Sequence, residues 1–549
     1  MRTLFGERWL EGLADAYRAP GQCRIEVEAI VPLERLDDVY PVRDRRDLRM
    51  VWNYLRAIGV RDTLRKVVSR SREGLRNEKF VSCGIGRVIE AAEGGTIATG
   101  HRVVFLCPVG AAASERLVLP EALLLPVEAG TTLPALDDDA VALNRAAAEA
   151  GEWWQPVRGW RPESGEALPT YATQAALKEA QRLVLGADWS AARKLPRGDE
   201  PVRTVFPAAR AGHDPRRKRA TLFGHGNYAK TILLPRLSRH LDVDCVHEID
   251  PAQIPRRRAD GVRWDTSPVL DADERPDAVL IASYHHTHAD LAAEALRRGA
   301  AALVEKPIAT TRRQLHDLLA TLRATGGALF SGYQRRYLPF NDWAREDLGL
   351  GADDPVNYHA IVYEVSLPEL HWYRWPSSRS RLVSNGCHWI DHFLHLNRYA
   401  APSEFDVRVG RDGTTNCSVT LENGAFFSMV LTDQGSRRLG VRDHVELRAA
   451  GATVRIEDAC RYEAEDRHRV LRRGSLRRLE AYERMYDAIG RKIAAGEPGD
   501  TPHSLQRSAG LVLDLQDQLV RLERQRRFSP GSQPISTARP APLRQVAAA

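Results

Sequence analysis

The chain has 549 residues, which at roughly 100–200 residues per domain means several domains rather than one. Hydrophobic residues make up 43% and charged residues 28%, a balance that excludes a chain disordered throughout. The net charge of +7 is the small difference between 79 basic and 72 acidic side chains; it is spread along the chain and is no nucleic-acid footprint.

In chain order, the first 130 residues end in short β-type runs at 86–90, 101–105 and 122–126. Residues 137–193 read as helical and alanine-rich, interrupted by Trp153, Trp154 and Trp160. A connector with Pro196, Pro201, Pro207 and Pro215 follows and reads as a linker, since it can hold neither a helix nor a central strand. The sequence then runs regularly β-then-α to about residue 332. Beyond it, Asp412-Gly413 and Asn423-Gly424 sit between alternating runs, the signature of hairpins in an antiparallel sheet. A helical region over 476–524 precedes a Pro/Ser/Ala-rich tail expected to be disordered. The seven cysteines show no CxxC and no Cys/His ligand spacing, so no metal is expected. Without an apolar export core in residues 1–10 or a run of ~20 apolar residues, the expectation is a cytoplasmic protein with no membrane or nucleic-acid partner.

The strongest early signal follows the linker. A short apolar strand over 220–223 leads into Gly224-His-Gly226-Asn227-Tyr228-Ala229 and then a helix over 230–240. The first glycine permits a tight turn, the second lets the backbone approach a pyrophosphate, and Ala229 lets the helix pack closely. A second strand over 243–247 ends in Glu248, placed to accept hydrogen bonds from the adenosine ribose. Its charge would repel a 2′-phosphate and favours NAD(H), while Arg256–Arg258 keep NADP(H) open.

The next strands each end in a polar cluster. The apolar run 277–283 closes on Ser283 and continues into Tyr284-His285-His286-Thr287-His288; the run 301–304 meets Glu305-Lys306-Pro307. Ligands of open parallel sheets bind beyond the carboxyl ends of the strands, where both clusters fall. Lysine is rare, and Lys306 is one of only eight. With Gly332-Tyr-Gln-Arg-Arg336, these motifs resemble the Gfo/Idh/MocA oxidoreductases over roughly residues 219–522. The resemblance implies that Lys306 lies beside nicotinamide and substrate. It also implies that Ser283, His285, His288, Glu305 and Pro307 line the cofactor, and that an antiparallel sheet completes the substrate site.

The segment Ser384-Asn385-Gly-Cys387-His388-Trp-Ile-Asp391 resembles that family's catalytic helix, in which an aspartate precedes a histidine by four residues, on one helical face. His388 takes the histidine position, but Ser384 stands for the aspartate. A bi-domain subgroup with Gly-Glu-Gly-Cys-His is closer, yet Asn385 replaces its glutamate. Hydride transfer needs a group for the hydroxyl proton and a charged donor for the developing alkoxide; His388 and Lys306 suit these roles. Arg336, His371, Trp372, Arg381, Asn385 and Asp391 are the candidate substrate contacts. Arg374, Arg379 and Arg381 are candidates for an anionic group; solvated loop charges are an equal reading.

Residues 83–90, 99–105 and 113–127 resemble the GroES-like barrel of medium-chain alcohol dehydrogenases. The zinc ligands of that family are absent and His101 stands where it has aspartate, so zinc-dependent alcohol chemistry is disfavoured. The expected fold is α/β plus α+β: a GroES-like β-rich module with helical extension (1–193), a linker (194–218), and a Rossmann-type doubly wound parallel sheet (219–335). A mostly antiparallel open-sheet substrate domain (336–525) and the tail (526–549) follow. The expected function is an NAD(P)-dependent oxidoreductase acting on a sugar, sugar nucleotide or natural-product intermediate, homo-oligomeric through the C-terminal sheet. The alternative is a dinucleotide-binding scaffold or sensor that has lost catalysis.

Overall fold

The computed structural model describes residues 217–248, 261–351, 353–365, 378–410, 412–434 and 441–528, with Tyr373 and shorter stretches within 2–127 and 193–208. The expected helices over 137–192 and the tail beyond residue 528 lie outside the described residues, as do His371, Trp372 and Arg374.

In the N-terminal part, strands Arg116–Pro120, Gln22–Arg35, Phe80–Glu90, Arg102–Cys107 and Leu124–Pro126 pair antiparallel in that order. The dinucleotide half is a parallel sheet of β1 (Lys218–Phe223), β2 (Leu241–His247), β3 (Arg263–Asp265), β4 (Ala278–Ile281), β5 (Ala301–Val304) and β6 (Leu329–Ser331). Their spatial order is 3-2-1-4-5-6, the Rossmann order, which reverses between β1 and β4 and opens a crevice there. The apolar strands β4 and β5 suit this place because both faces are covered.

One face, with Phe223, Val279, Ile281, Ala302 and Val304, packs on α2 (His288–Arg297) and α3 (Arg312–Thr325). The other, with Ala220, Leu222, Ala278, Leu280 and Leu303, meets the helical segment after the glycine loop, π-wound over Ala229–Leu233 and continued by α1 (Leu234–Leu237). The same face receives Met485, Tyr486, Ile489 and Ile493 of α6 (Glu480–Ala495). Each such buried side chain contributes about 1.5–3 kcal/mol, so a helix late in the sequence helps complete the dinucleotide fold. The predicted linker is not wholly a connector: Val205–Phe206 pairs antiparallel with β3 and Arg193–Lys194 joins the N-terminal sheet. Prolines confine such pieces to sheet edges.

Before the second sheet comes α4 (Phe340–Asp347). The sheet itself contains β7 (Asn357–Tyr363), β8 (Pro402–Val409), β9 (Thr415–Leu421), β10 (Phe426–Thr432), β11 (Arg442–Ala449), β12 (Ala452–Glu457), β13 (Arg461–Glu465) and β14 (Val470–Ser475). The order is 8-9-10-7-11-12-13-14, antiparallel except for β7 beside β10. The two predicted turns join β8 to β9 and β9 to β10, with Gly413 and Gly424 at φ 81° and 84°. Against this sheet lie α5 (Cys387–Leu396) and α7 (Pro502–Phe528). Among the described residues no helix is long and apolar enough to cross a membrane.

Candidate functional site

The site begins where β1 ends. Gly224 has φ +88°, and a Cβ there would lie 2.5 Å from the carbonyl oxygen of Ala282, so only glycine fits between the ends of β1 and β4. Its N–H donates to His247 O at 2.9 Å. A Cβ on Gly226 would meet nothing within 4 Å, so the space beside the loop is open. The next turn closes through Lys230 N to Gly226 O (3.1 Å) and Thr231 Oγ1 to Asn227 O (2.7 Å), with Ala229 buried behind it. Glu248 is buried at the end of β2, and its Oε2 accepts the His225 N–H at 2.6 Å, which fixes the carboxylate against the loop. The glycine loop and its predicted acid are therefore brought together.

Beyond β5, Glu305 is buried and accepts from two tyrosines: Tyr228 Oη at 3.0 Å, from the glycine loop, and Tyr486 Oη, from α6. The two hydroxyls also lie 2.7 Å apart. Burial pushes the Glu305 carboxyl up, against the lowering effect of Tyr486, Lys306 and Tyr228. Lys306, partly exposed, donates from Nζ to the carbonyl of Ser384 at 3.0 Å, joining the end of β5 to the helical segment Leu382–Gly386 of the second domain. Burial opposes its charge, but Tyr373, Cys387 and Glu305 outweigh it and hold the ammonium above the ordinary lysine range. The Lys306–Pro307 bond is cis.

The histidines predicted to line the cofactor differ in how they are held. His288 is buried, with Nδ1 2.8 Å from Pro307 O and Nε2 3.1 Å from Ser283 O, so it ties the β4 and β5 loops together. Burial pushes its pKa down to about 4, against the raising effect of the carbonyls. His285 is buried with its ring 4.9 Å from that of Tyr373, and Ser283 Oγ pairs with Thr287 Oγ1 at 2.7 Å. Tyr373 was not singled out by sequence; its ring also stands 5.9 Å from Lys306 Nζ.

On the second domain, the segment Leu382–Gly386 is π-wound before α5 begins. Ser384 thus lies in the π-wound turn and His388 in the first turn of α5. Ser384 is fully buried, its Oγ without a hydrogen-bond partner among the described residues. His388 is 7% exposed and its Nδ1 likewise has no partner. Burial, with Lys306 and Arg335 nearby, holds the imidazole well below its usual pKa, so it is neutral at neutral pH.

Two substrate candidates turn out to be paired with each other. Arg336 binds Asp391 (Nε to Oδ2, 2.9 Å) and Asp500 (Nη1 to Oδ1, 2.9 Å), while Ser508 Oγ donates to Asp391 at 2.6 Å. This largely buried network ties Arg336, in the helical turn Gln334–Tyr337, to α5 and to the start of α7. Arg381 and Asn385 both donate to Glu364, a buried carboxylate just past β7 that the sequence reading missed. Arg381 Nη2 also reaches Val365 O at 2.7 Å, and Arg379 Nε reaches Thr310 O at 2.9 Å. A carboxylate thus lies beside the helix motif, contributed from just past β7.

Residues 218–333 match the profile of the oxidoreductase family with NAD-binding Rossmann fold. Over this segment the chain is similar to the Gfo/Idh/MocA oxidoreductases. Over 105 residues it is 36% identical to inositol 2-dehydrogenase 1 of Saccharopolyspora erythraea, covering 19% of this chain and 31% of that protein. The chain thus spans about a third of the length of that curated relative. Among solved structures it is similar to a dehydrogenase from Chromobacterium violaceum (16% identity, 56% of this chain and 97% of that one, TM-score 0.48). It is also similar to KijD10, a 3-ketoreductase from Actinomadura kijaniata in complex with NADP and TDP-benzene (18%, 55% and 98%, TM-score 0.46). The WlbA dehydrogenase from Bordetella pertussis in complex with NADH and UDP-GlcNAcA is a third (16%, 56% and 96%, TM-score 0.46). The Gfo/Idh/MocA match ends at β6, so the eight-stranded sheet and the N-terminal part lie outside it.

Proposed function

We propose that this chain is an NAD(P)-dependent oxidoreductase of the Gfo/Idh/MocA type, acting on a secondary alcohol, ketone or imine of a sugar, sugar nucleotide or natural-product intermediate. The observation that carries the reading is Lys306, a charged amine at the crevice, 3.0 Å from the carbonyl of Ser384 and thus beside the segment leading to His388. Bound NAD(H) supplies a nicotinamide carbon that gives or takes hydride. The chain's own residues do the rest. The backbone around Gly224, Gly226 and Asn227 holds the phosphates, and Tyr228 braces Glu305. Glu248 takes the ribose hydroxyls, and its buried charge favours NAD(H) over NADP(H).

One N–H of the Lys306 ammonium is committed to Ser384; the remaining two are available to a substrate oxygen, where they stabilise developing negative charge. The neutral imidazole of His388 accepts the hydroxyl proton at a ring nitrogen and returns it in the reverse direction. Asn385 is partly exposed, and its Nδ2 is committed to Glu364. Its Oδ1 therefore points the other way and offers a substrate hydroxyl the acceptor that the missing glutamate would have provided.

The eight-stranded sheet serves as the substrate domain, and Ile361 and Phe426 exposed on it support homo-oligomer contacts. The antiparallel N-terminal sheet supports a GroES-like module ahead of the catalytic half.

The test is a screen of sugars, sugar nucleotides and imines followed by cofactor absorbance, with Lys306→Ala and His388→Ala as controls. Turnover lost in both variants supports the proposal. Cofactor binding without turnover favours the second reading, a scaffold or sensor, for which the buried Ser384 in place of an acid is the supporting observation.

A further inference from the structure

The strand that carries Glu248 also carries a second group of donor atoms, on its other face. Cys245 and His247 are two residues apart on β2, so their side chains leave the sheet on the same side. Glu274 reaches them from the connection between β3 and β4. One donor atom from each lies within 4.8 Å of the other two. The His247 side chain is fully buried and that of Glu274 is 9% exposed.

The hydrogen bonds favour an ion. His247 Nδ1–H donates to Ser267 O at 2.9 Å, which fixes the ring orientation and directs Nε2 at the Glu274 carboxylate, 3.1 Å from Oε2. A nitrogen lone pair and a carboxylate oxygen at that separation need a proton or a cation between them. A backbone carbonyl on one ring nitrogen and an ion on the other is the usual arrangement of metal-bound histidine.

Charge permits it. Arg263 Nη2 lies 3.3 Å from Glu274, but also 2.8 Å from Asp265 and 2.6 Å from Asp271, so three carboxylates surround one guanidinium. Thiolate, imidazole and carboxylate together suit zinc, whose bond lengths of roughly 2.0–2.3 Å are within reach after small side-chain movements.

We propose that Cys245, His247 and Glu274 bind a zinc ion that staples the end of β2 to the β3–β4 connection behind the glycine loop. The position has a consequence for the cofactor site. The His247 ring stacks on Phe223 with centroids 4.4 Å apart, its carbonyl accepts the Gly224 N–H, and the next residue is Glu248. Zinc would firm the strand end that presents the ribose-binding acid. The signal was hidden in sequence because the third donor lies 27 residues beyond the second.

The test uses tag-free full-length protein, stripped with a chelator and reloaded, and does not depend on enzymatic turnover. The expected results are one zinc per chain by elemental analysis and, with cobalt, a thiolate charge-transfer band. In competition with a chromophoric chelator, Glu274→Gln weakens zinc binding at least about 10-fold. Cys245→Ser removes the cobalt band, and Cys460→Ser leaves it intact. Zinc uptake no higher than a blank, a cobalt spectrum without thiolate character, or wild-type zinc affinity in Glu274→Gln would each overturn the proposal. If Cys245→Ser does not fold, the wild-type cobalt spectrum and Glu274→Gln decide it.

Discussion

Asn385 and Glu364 are hydrogen-bonded through Nδ2 and Oε1, and Arg381 holds the other oxygen of the same buried carboxylate. Burial pushes the Glu364 carboxyl up, while Arg381 and Asn385 counter it. Asn385→Asp would set a second carboxylate against it, so one of the pair must keep a proton. A folded-state pKa raised above the unfolded one gives stability that is present at low pH and lost as pH rises through the folded value. The variant should therefore match the wild type near pH 4 and lose about 3 kcal/mol by pH 8. Urea denaturation at the two pH values measures this. The double change Glu364→Gln with Asn385→Asp restores a donor–acceptor pair and should recover most of the loss; equal stability of Asn385→Asp at both pH values would refute the argument.

Lys306→Ala removes a charged donor without touching the glycine loop. With a substrate in hand, kcat/KM should fall by about 10²–10³ while the Kd for NADH changes little. Lys306→Arg should not restore the rate, since a planar guanidinium cannot keep the same bond to Ser384 O. A similar fall in NADH affinity and in rate would place the lysine in cofactor binding instead.

The dinucleotide half was legible because its determinants are local: Gly224, Gly226, Ala229 and Glu248 follow one another along two strands and the loop between them, and the structure brings them together. The eight-stranded sheet announced itself through Gly413 and Gly424, whose positive φ the turn residues foretell. What escaped was non-local. Glu364 meets Asn385 of the helix motif from a strand end 21 residues away. Tyr486 reaches Glu305 across 181 residues of sequence. That Arg336 and Asp391, 55 residues apart, would pair with each other was likewise not readable from their motifs. Neither the π-winding over Leu382–Gly386 nor the pairing of Val205–Phe206 with β3 has a periodicity that a sequence could display.

Tyr486→Phe removes one of the two hydroxyl donors to the buried Glu305 carboxylate. The loss should cost about 1–3 kcal/mol of folding stability. Burial already raises the Glu305 pKa, and the lost donor raises it further. The same sign applies: the deficit should be smaller in acid, where Glu305 is protonated in both states, and grow as pH rises past the ordinary carboxylate range. Chemical denaturation of wild type and variant between pH 4 and pH 8 checks this. A deficit independent of pH would mean that Tyr486 matters for packing on the Rossmann sheet rather than for the carboxylate.

Gly224 and Gly226 should fail in different ways although they belong to one motif. Gly224→Ala forces a side chain into φ +88° with its Cβ 2.5 Å from Ala282 O, between two core strands. A left-handed residue plus a backbone clash costs at least about 1–3 kcal/mol, so this variant should melt earlier or not fold. At Gly226 the added methyl meets no protein atom within 4 Å, and its φ is not in the left-handed region. Gly226→Ala should therefore keep the wild-type melting temperature without cofactor. The methyl would instead occupy the space the phosphates need, and the Kd for NADH should rise at least about 10-fold, because each 1.4 kcal/mol is one decade. Differential scanning fluorimetry with and without NADH separates the two effects in one experiment: stabilisation by cofactor should vanish in Gly226→Ala while the cofactor-free transition stays in place. A Gly226→Ala protein that binds NADH as the wild type does would show that the dinucleotide phosphates lie elsewhere.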